Sequence, residues 1–323
     1  MQVADGVHQI KVPMKHNPLG YTYSYLLKES KTLIDTGVPG WDTYKALEIQ
    51  LNEQDIRVQD LERIIVTHMH NDHVGLIKYI REKGNIQVLT HRVAEERQRE
   101  QIRIYKDMYR NTTEELQLMG GGSFQHFLSR FENSFREDPE PIRIDRLLED
   151  DDTIDLPNAK LKVIWTPGHA PEHICLHDAQ RHLLYSGDHI LPKITSHVSL
   201  HTWEKKDPLR DYINSLNKVK NLPVELILPG HEKNFKNLPE RIEQIQKHHE
   251  ARLNEIKTAL KNGKNTIFDI ATAIHWDSRP WIIMDFWTKR MAAAETYAHI
   301  TYLKNKGDIN ETKKENTLNY KQT

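Results

Sequence analysis

Four side chains that commonly bind metal ions lie within six residues of one another, namely His68, His70, Asp72 and His73. They follow an apolar run at residues 63–66 that predicts a short buried strand. In an extended segment alternate residues point to the same side, so His68 and His70 can bind one ion with their imidazoles. Asp72 and His73 come where the chain turns, and they can face a second ion. The spacing therefore predicts a metal site in this loop.

Three more candidate ligands each follow an apolar run and are directly preceded by glycine: His169, Asp188 and His231. The runs predict strands, at residues 161–165, 183–185 and 224–228. A glycine beside each candidate allows a tight turn that can bring the side chain into a common cleft. Taken with the first motif, the repeated order of strand and then ligand predicts that all seven side chains meet.

Five imidazoles and two carboxylates without a thiolate suit zinc, and also iron or manganese. Two divalent cations that share a carboxylate can hold a hydroxide between them and lower its pKa, so that it attacks near neutral pH. The same ions can polarise a carbonyl or phosphoryl oxygen and stabilise the anion that develops. Asp72 is the candidate for orienting the nucleophile and passing a proton to the leaving group.

Strands and helices that could hold these residues alternate in the first half of the chain. Beside the runs already named, strands are predicted at residues 21–28, 31–34, 86–89, 153–156 and 174–177. Helices are predicted at residues 41–54, 75–83, 93–119, 124–135, 239–262, 266–274 and 291–304. Residues 307–323 are polar and are predicted to form a small β-hairpin or to be disordered.

The change of character near residue 238 predicts two domains. Residues 1–238 would form a catalytic domain with a helical insertion at about residues 92–140, and residues 239–323 a mainly helical C-terminal domain. Three helices followed by a hairpin resemble a winged-helix arrangement.

Composition restricts the class of protein. The chain has 323 residues and a formal net charge of -1, which argues mildly against a protein that wraps nucleic acid. One cysteine, Cys175, permits no intramolecular disulfide. No apolar stretch approaches the roughly 18 residues of a membrane span, and no signal peptide is evident, so a cytoplasmic protein is expected.

Residues 6–235 resemble the metallo-β-lactamase superfamily through Asp35 in Leu-Ile-Asp-Thr-Gly, the motif from His68 to His73, and the three later candidates. The resemblance implies an α/β fold, an αββα sandwich with the site at one edge. It implies that His68, His70 and His169 hold the first metal. It further implies that Asp72, His73 and His231 hold the second, that Asp188 bridges both, and that Asp35 supports the loop without binding metal.

Three segments resemble particular branches of this superfamily. Residues 166–173 and 186–192 are similar to the glyoxalase II-like branch, and the C-terminal segment resembles the branch that includes β-lactamase-like protein 2. Within these segments His173 and His189 lie beside ligands and are candidates for lining the cleft, or for structural hydrogen bonds.

The leading hypothesis is a hydrolase of a small carboxylic ester, thioester or lactone, with two divalent ions, zinc first and iron or manganese as alternatives. The alternative is a metal-dependent phosphodiesterase or endoribonuclease, so nucleic acid is a possible but not favoured partner. An iron-dependent thiol dioxygenase and a non-enzymatic winged-helix DNA-binding protein are less favoured, because all seven ligand positions are filled. The pattern does not predict the oligomeric state.

Overall fold

The structure, a computed structural model, describes residues 1–15, 17–124, 128, 140–277 and 279–323. Strands of this part of the chain are β1 (Gln2–Ala4), β2 (Val7–Pro13), β3 (Tyr21–Leu27), β4 (Thr32–Ile34), β5 (Arg63–Ile65), β6 (Gln87–His91), β7 (Arg146–Leu148), β8 (Thr153–Leu156), β9 (Ala159–Trp165), β10 (Ile174–Asp178), β11 (Leu183–Gly187), β12 (Leu226–Pro229), β13 (Ile309–Lys314) and β14 (Thr317–Gln322).

The α-helices described are Trp41–Asn52, Asn71–Val74, Ile77–Arg81, Val93–Lys106, Met108–Met119, Pro208–Val219, Leu238–Lys261, Ile267–Thr272 and Phe286–Asn305. Short 3-10 turns occur at Val58–Asp60, Gly122–Phe124 and Trp281–Ile283. In the described part of the chain, no helix is both long and apolar enough to cross a membrane.

Twelve of the strands form two mixed sheets. The first sheet has the order β1-β2-β3-β4-β5-β6-β7, with antiparallel pairs up to β4 and parallel pairs from β4 to β7. The second has the order β12-β11-β10-β9-β8, in which only β11 and β12 are parallel. The predicted strands at residues 174–177 and 183–185 correspond to β10 and β11, which pair as an antiparallel hairpin.

Apolar residues of both sheets pack into one buried cluster. Tyr25 and Ile65 from the first sheet lie in it with Val163 and Leu176 from the second. The other face of the first sheet packs against the helix Trp41–Asn52. Sheet-on-sheet packing with a helix outside is the predicted sandwich. Cys175 in β10 is completely buried.

The described chain divides into two compact units. The first comprises Met1–Gln98, Pro141–Ser196 and Asn214–Ile242, and it contains both large sheets. The second comprises Arg99–Glu140, His197–Ile213 and Glu243–Thr323. Compactness alone does not define a domain, so the division into residues 1–238 and 239–323 stays a prediction.

The second unit ends in three helices and a hairpin, as the sequence predicts. The hairpin of β13 and β14 turns at Glu315 and Asn316, which both have positive φ, as the tight turn of a two-residue hairpin requires. Its formation excludes the alternative of a disordered terminus. The likeness to a winged helix stays a prediction.

Several predicted boundaries differ from the structure. The helix expected from Gly75 begins at Asn71 and is split after Val74, where a side chain on Gly75 would lie 2.3 Å from the ring of Pro39. The helix expected at residues 93–119 is interrupted at Asp107. The predicted helix at residues 124–135 falls largely on residues 125–127 and 129–139, outside the described residues.

Candidate metal centre

Five of the strands end at the edge of the sheets where the candidate ligands lie. In the second sheet β9, β11 and β12 run in the same direction, because β9 is two antiparallel steps from β11. Their carboxyl ends lead to His169, Asp188 and His231. In the first sheet the parallel strands β4 and β5 lead to Asp35 and to the motif that begins at His68.

Three imidazoles form a first group. The Nε2 atom of His68 lies 2.9 Å from Nδ1 of His70, and Nε2 of His169 lies 3.0 Å from the same Nδ1 atom. These nitrogen atoms come from two loops that are about a hundred residues apart in sequence. Together they form one group that could hold a metal ion.

Asp72, His73 and His231 form a second group. The Oδ2 atom of Asp72 lies 3.2 Å from Nε2 of His231 and 3.9 Å from Nε2 of His73. Asp72 and His73 are neighbours in the helix that begins at Asn71, and the ligand atoms of both lie in this group.

Asp188 lies between the two groups. Its Oδ2 atom is 3.7 Å from Nε2 of His169 in the first group and 3.3 Å from Nε2 of His231 in the second. Its Oδ1 atom is 3.5 Å from Nε2 of His73. The carboxylate can therefore contact ions in both positions at once.

The donor set fits divalent metal ions. Among the described residues, His73 Nε2 and Asp188 Oδ1 are buried without a hydrogen-bond partner, which is costly unless something else binds them. Tetrahedral ligands at about 2.1 Å from an ion lie about 3.4 Å from one another, close to the spacings within both groups. Nitrogen and carboxylate donors without thiolate suit zinc, iron or manganese.

The electrostatics of the site also suit cations. Burial lowers the pKa of His68 well below its usual range, so the imidazole is neutral at pH 7 and keeps a lone pair for a metal. Burial opposes ionisation of Asp72, but the hydrogen bond from His231 and the charge of His73 lower its pKa to about 2. Burial likewise disfavours a charged His73, yet Asp188 and Asp35 raise its pKa well above the ordinary value. Buried carboxylates here create a negative potential that a cation would neutralise.

Asp35 belongs to neither group of candidate ligands. Its carboxylate forms hydrogen bonds that hold the loop carrying them. Its carboxylate accepts hydrogen bonds from Thr67 N at 2.8 Å, Thr67 Oγ1 at 2.7 Å and His73 Nδ1 at 2.8 Å. Since the Thr67 hydroxyl donates to Asp35, it accepts from Nδ1 of His68 at 3.1 Å. The imidazoles of His68 and His73 therefore present Nε2 to the site, as ligand histidines with a fixed tautomer do.

His173 and His189 are both completely buried. The Nε2 atom of His173 accepts from the backbone N–H of Asp188 at 3.2 Å, and its Nδ1 atom lies 2.8 Å from Thr166 Oγ1. His173 thus supports the turn that carries Asp188. The ring of His189 packs 5.9 Å from that of His173.

Sequence reasoning missed some residues that hold the site. Thr67 accepts a hydrogen bond from His68 and donates one to Asp35, and its place directly before the motif is a signal that could have found it. Glu172 is buried and accepts from Met69 N at 3.0 Å, which ties the loop of His68 to residues 166–173. An acidic residue next to a buried histidine could have suggested this support.

Comparisons with known proteins agree with this geometry. Residues 17–231, which include all seven candidates, match the family described as the metallo-beta-lactamase superfamily. The beta-lactamase-like protein 2 homologue of Caenorhabditis elegans is 30% identical over 290 residues, 87% of this chain and 80% of that protein. An acyl-coenzyme A thioesterase of Gallus gallus is 36% identical over 95 residues, only 28% of this chain and 32% of that protein.

A solved structure extends the likeness to the whole chain. The metallo-beta-lactamase family protein of Thermus thermophilus has a TM-score of 0.78 and 25% identity, with all of both chains covered. The arrangement of sheets and helices is therefore shared beyond the residues that the family match spans.

Proposed function

Because the chain belongs to the metallo-beta-lactamase superfamily, whose fold and hydrolase class it shares, we propose that it uses two divalent metal ions to hydrolyse a small carboxylic ester, thioester or lactone. The observation that carries the proposal is the position of Asp188 between two complete groups of donors. One ion would need only one group. Zinc is the proposed metal, with iron and manganese as alternatives.

In this proposal His68, His70 and His169 would hold the first ion through the nitrogen atoms that face one another. Asp72 and His73 would hold the second ion with His231. Asp188 would contact both, and Asp35 keeps the imidazoles in the correct tautomer. Two bound ions would activate a water molecule and stabilise the negative charge that develops on the attacked oxygen.

Asp72 is the proposed residue for proton movement. It keeps 22% of its side chain exposed, against 10% for Asp188, so it is the more accessible carboxylate of the site. A pKa of about 2 keeps it ionised at neutral pH and able to accept a proton from the attacking water. It can then donate that proton to the leaving group.

The substrate proposal favours a thioester within the carbonyl class. Its support is the likeness to the Gallus gallus protein, which is named an acyl-coenzyme A thioesterase. That likeness spans a third of the relative, so the test must include substrates of the other classes.

The deciding experiment makes two measurements. Mass spectrometry gives the metal content of the protein, and an activity assay gives its turnover of an acyl-coenzyme A, a lactone, an aryl ester, a bis-aryl phosphodiester and single-stranded RNA. The expected result is two ions per chain and turnover of a carbonyl substrate, with the second ion and the turnover lost in His231→Ala. His275→Ala is the control, since this side chain is 77% exposed in the second unit. Preference for the phosphodiester and RNA would replace the proposal by the nuclease alternative, and absence of bound metal would overturn it.

A further inference from the structure

The segment from Asp188 to Ser196 is a loop that closes on itself. The Ser196 hydroxyl donates a hydrogen bond to the backbone carbonyl of Asp188, so both ends of the loop are joined. Its middle, at Lys193 and Ile194, is exposed. Side chains from outside the loop form hydrogen bonds to the backbone of its middle, at residues 191, 193 and 194.

Glu232 holds this loop through backbone amides. Its Oε2 atom accepts from Lys193 N at 3.0 Å and from Ile194 N at 3.3 Å. Glu232 directly follows His231 and has a φ of 64°, a left-handed conformation that is uncommon for residues with a side chain. Its two hydrogen bonds offset the cost of that conformation, and they connect the turn of His231 to the loop of Asp188.

Arg241 holds the same loop through backbone carbonyls. Its Nε atom donates to Leu191 O at 2.6 Å, and one Nη atom donates to Lys193 O at 2.8 Å and Ile194 O at 2.7 Å. The side chain lies in the first turn of the helix Leu238–Lys261 and is largely buried. A planar guanidinium can satisfy several acceptors at fixed angles, which a lysine cannot.

We infer that Glu232 and Arg241 are positioning residues that fix Asp188 relative to His231, and so set the geometry of the second metal position. The inference rests on the proposed function, since it assigns these residues a role toward the bound ions. Neither residue belongs to the proposed ligands. Supporting residues of this kind typically change metal affinity by about 10- to 100-fold when they are removed.

The test uses variants that separate positioning from stability. Glu232→Gly allows the left-handed backbone at lower cost but removes the carboxylate. Glu232→Gln keeps an oxygen that can accept both amide hydrogens. Asn237→Gly is the matched control, because Asn237 has a φ of 65°, is exposed and lies in the same unit. Arg241→Lys keeps the positive charge without the planar fork.

Binding of Co²⁺ would be followed by its visible absorption spectrum and by competition with a chromophoric chelator, beside the melting temperature. We expect Glu232→Gly and Arg241→Lys to bind the second ion about 10- to 100-fold more weakly with an altered spectrum, while Glu232→Gln and Asn237→Gly resemble the parent. If the parent binds two ions and Glu232→Gly binds them with the same affinity and spectrum, the inference is overturned and the proposed function stands. No binding by the parent would overturn the proposed function itself.

Discussion

Gly230 provides the most direct test of how closely the site is packed. A Cβ atom at this position would lie 2.6 Å from Asp188 Oδ1 and 2.8 Å from His73 Cε1, whereas ordinary contact begins near 3.4 Å. Its backbone is held on both sides. The N–H donates to Gly187 O at 2.8 Å, and the carbonyl accepts from Tyr23 N at 2.7 Å.

Because the backbone is fixed, Gly230→Ala must displace Asp188 by about 0.8 Å and His73 by about 0.6 Å to reach ordinary contact distances. Misplacement of a reacting group by about 1 Å can lower a rate about 100-fold. That factor corresponds to about 2.7 kcal/mol of transition-state stabilisation. We therefore expect kcat/KM to fall by about two orders of magnitude, with weaker binding of the second ion.

The assay compares metal content, thioester turnover and melting temperature in the parent, Gly230→Ala and Gly84→Ala. Gly84 also has an ordinary φ, and its added Cβ would meet the backbone of Gln59 at 3.3 Å, in the first unit but at neither group. Gly84→Ala should keep metal and turnover. Full turnover with two ions in Gly230→Ala would refute the argument that Asp188 and His73 are positioned by close contact.

Three further predictions concern other residues. Asp35→Asn should lower metal affinity about 10- to 100-fold by equilibrium dialysis, because it disturbs the hydrogen bonds to Thr67 and His73 that fix the imidazoles; parent-like affinity would contradict this role. Asp72→Asn should lower kcat even where ion binding is saturated, and an enzyme with both ions and full turnover would exclude Asp72 from proton movement. Burial lowers the pKa of His299 from 6.5 to about 4. Between these pH values the side chain is therefore protonated in the unfolded chain but neutral in the folded chain. The stability that the neutral His299 contributes should therefore fall as pH decreases from 6.5 towards 4, and the fall that urea unfolding measures should be shallower in His299→Asn.

The sequence predicts the candidate ligands well because each follows a strand. Apolar runs identify β9, β11 and β12, and a polar residue directly after a buried strand must lie at the edge of the sheet. The structure brings all seven candidates together there, while their binding of metal stays a prediction. The fold class is confirmed, because residues 17–231 match the family and the Thermus thermophilus structure superposes with a TM-score of 0.78.

Other parts of the site could not be predicted, since they depend on contacts between residues distant in sequence. The helix begins at Asn71, before Gly75, and Gly75 lies so close to Pro39 that a Cβ atom there would be 2.3 Å from its ring, a contact that no local pattern shows. The hydrogen bonds of Glu232 join loops about forty residues apart. β1, β2, β7 and the helix Pro208–Val219 were also missed. The helix could have been predicted, because its buried residues Leu209, Tyr212, Leu216 and Val219 recur at helical spacing.

Cys175 has a practical consequence for enzymology. Burial raises the pKa of its thiol to about 12, so at pH 8 only about one molecule in ten thousand carries the reactive thiolate. Hydrolysis of a thioester releases a thiol into solution. A colorimetric thiol reagent should therefore record product formation without background from the folded enzyme, and reaction of its one equivalent of cysteine would report unfolding in the same cuvette.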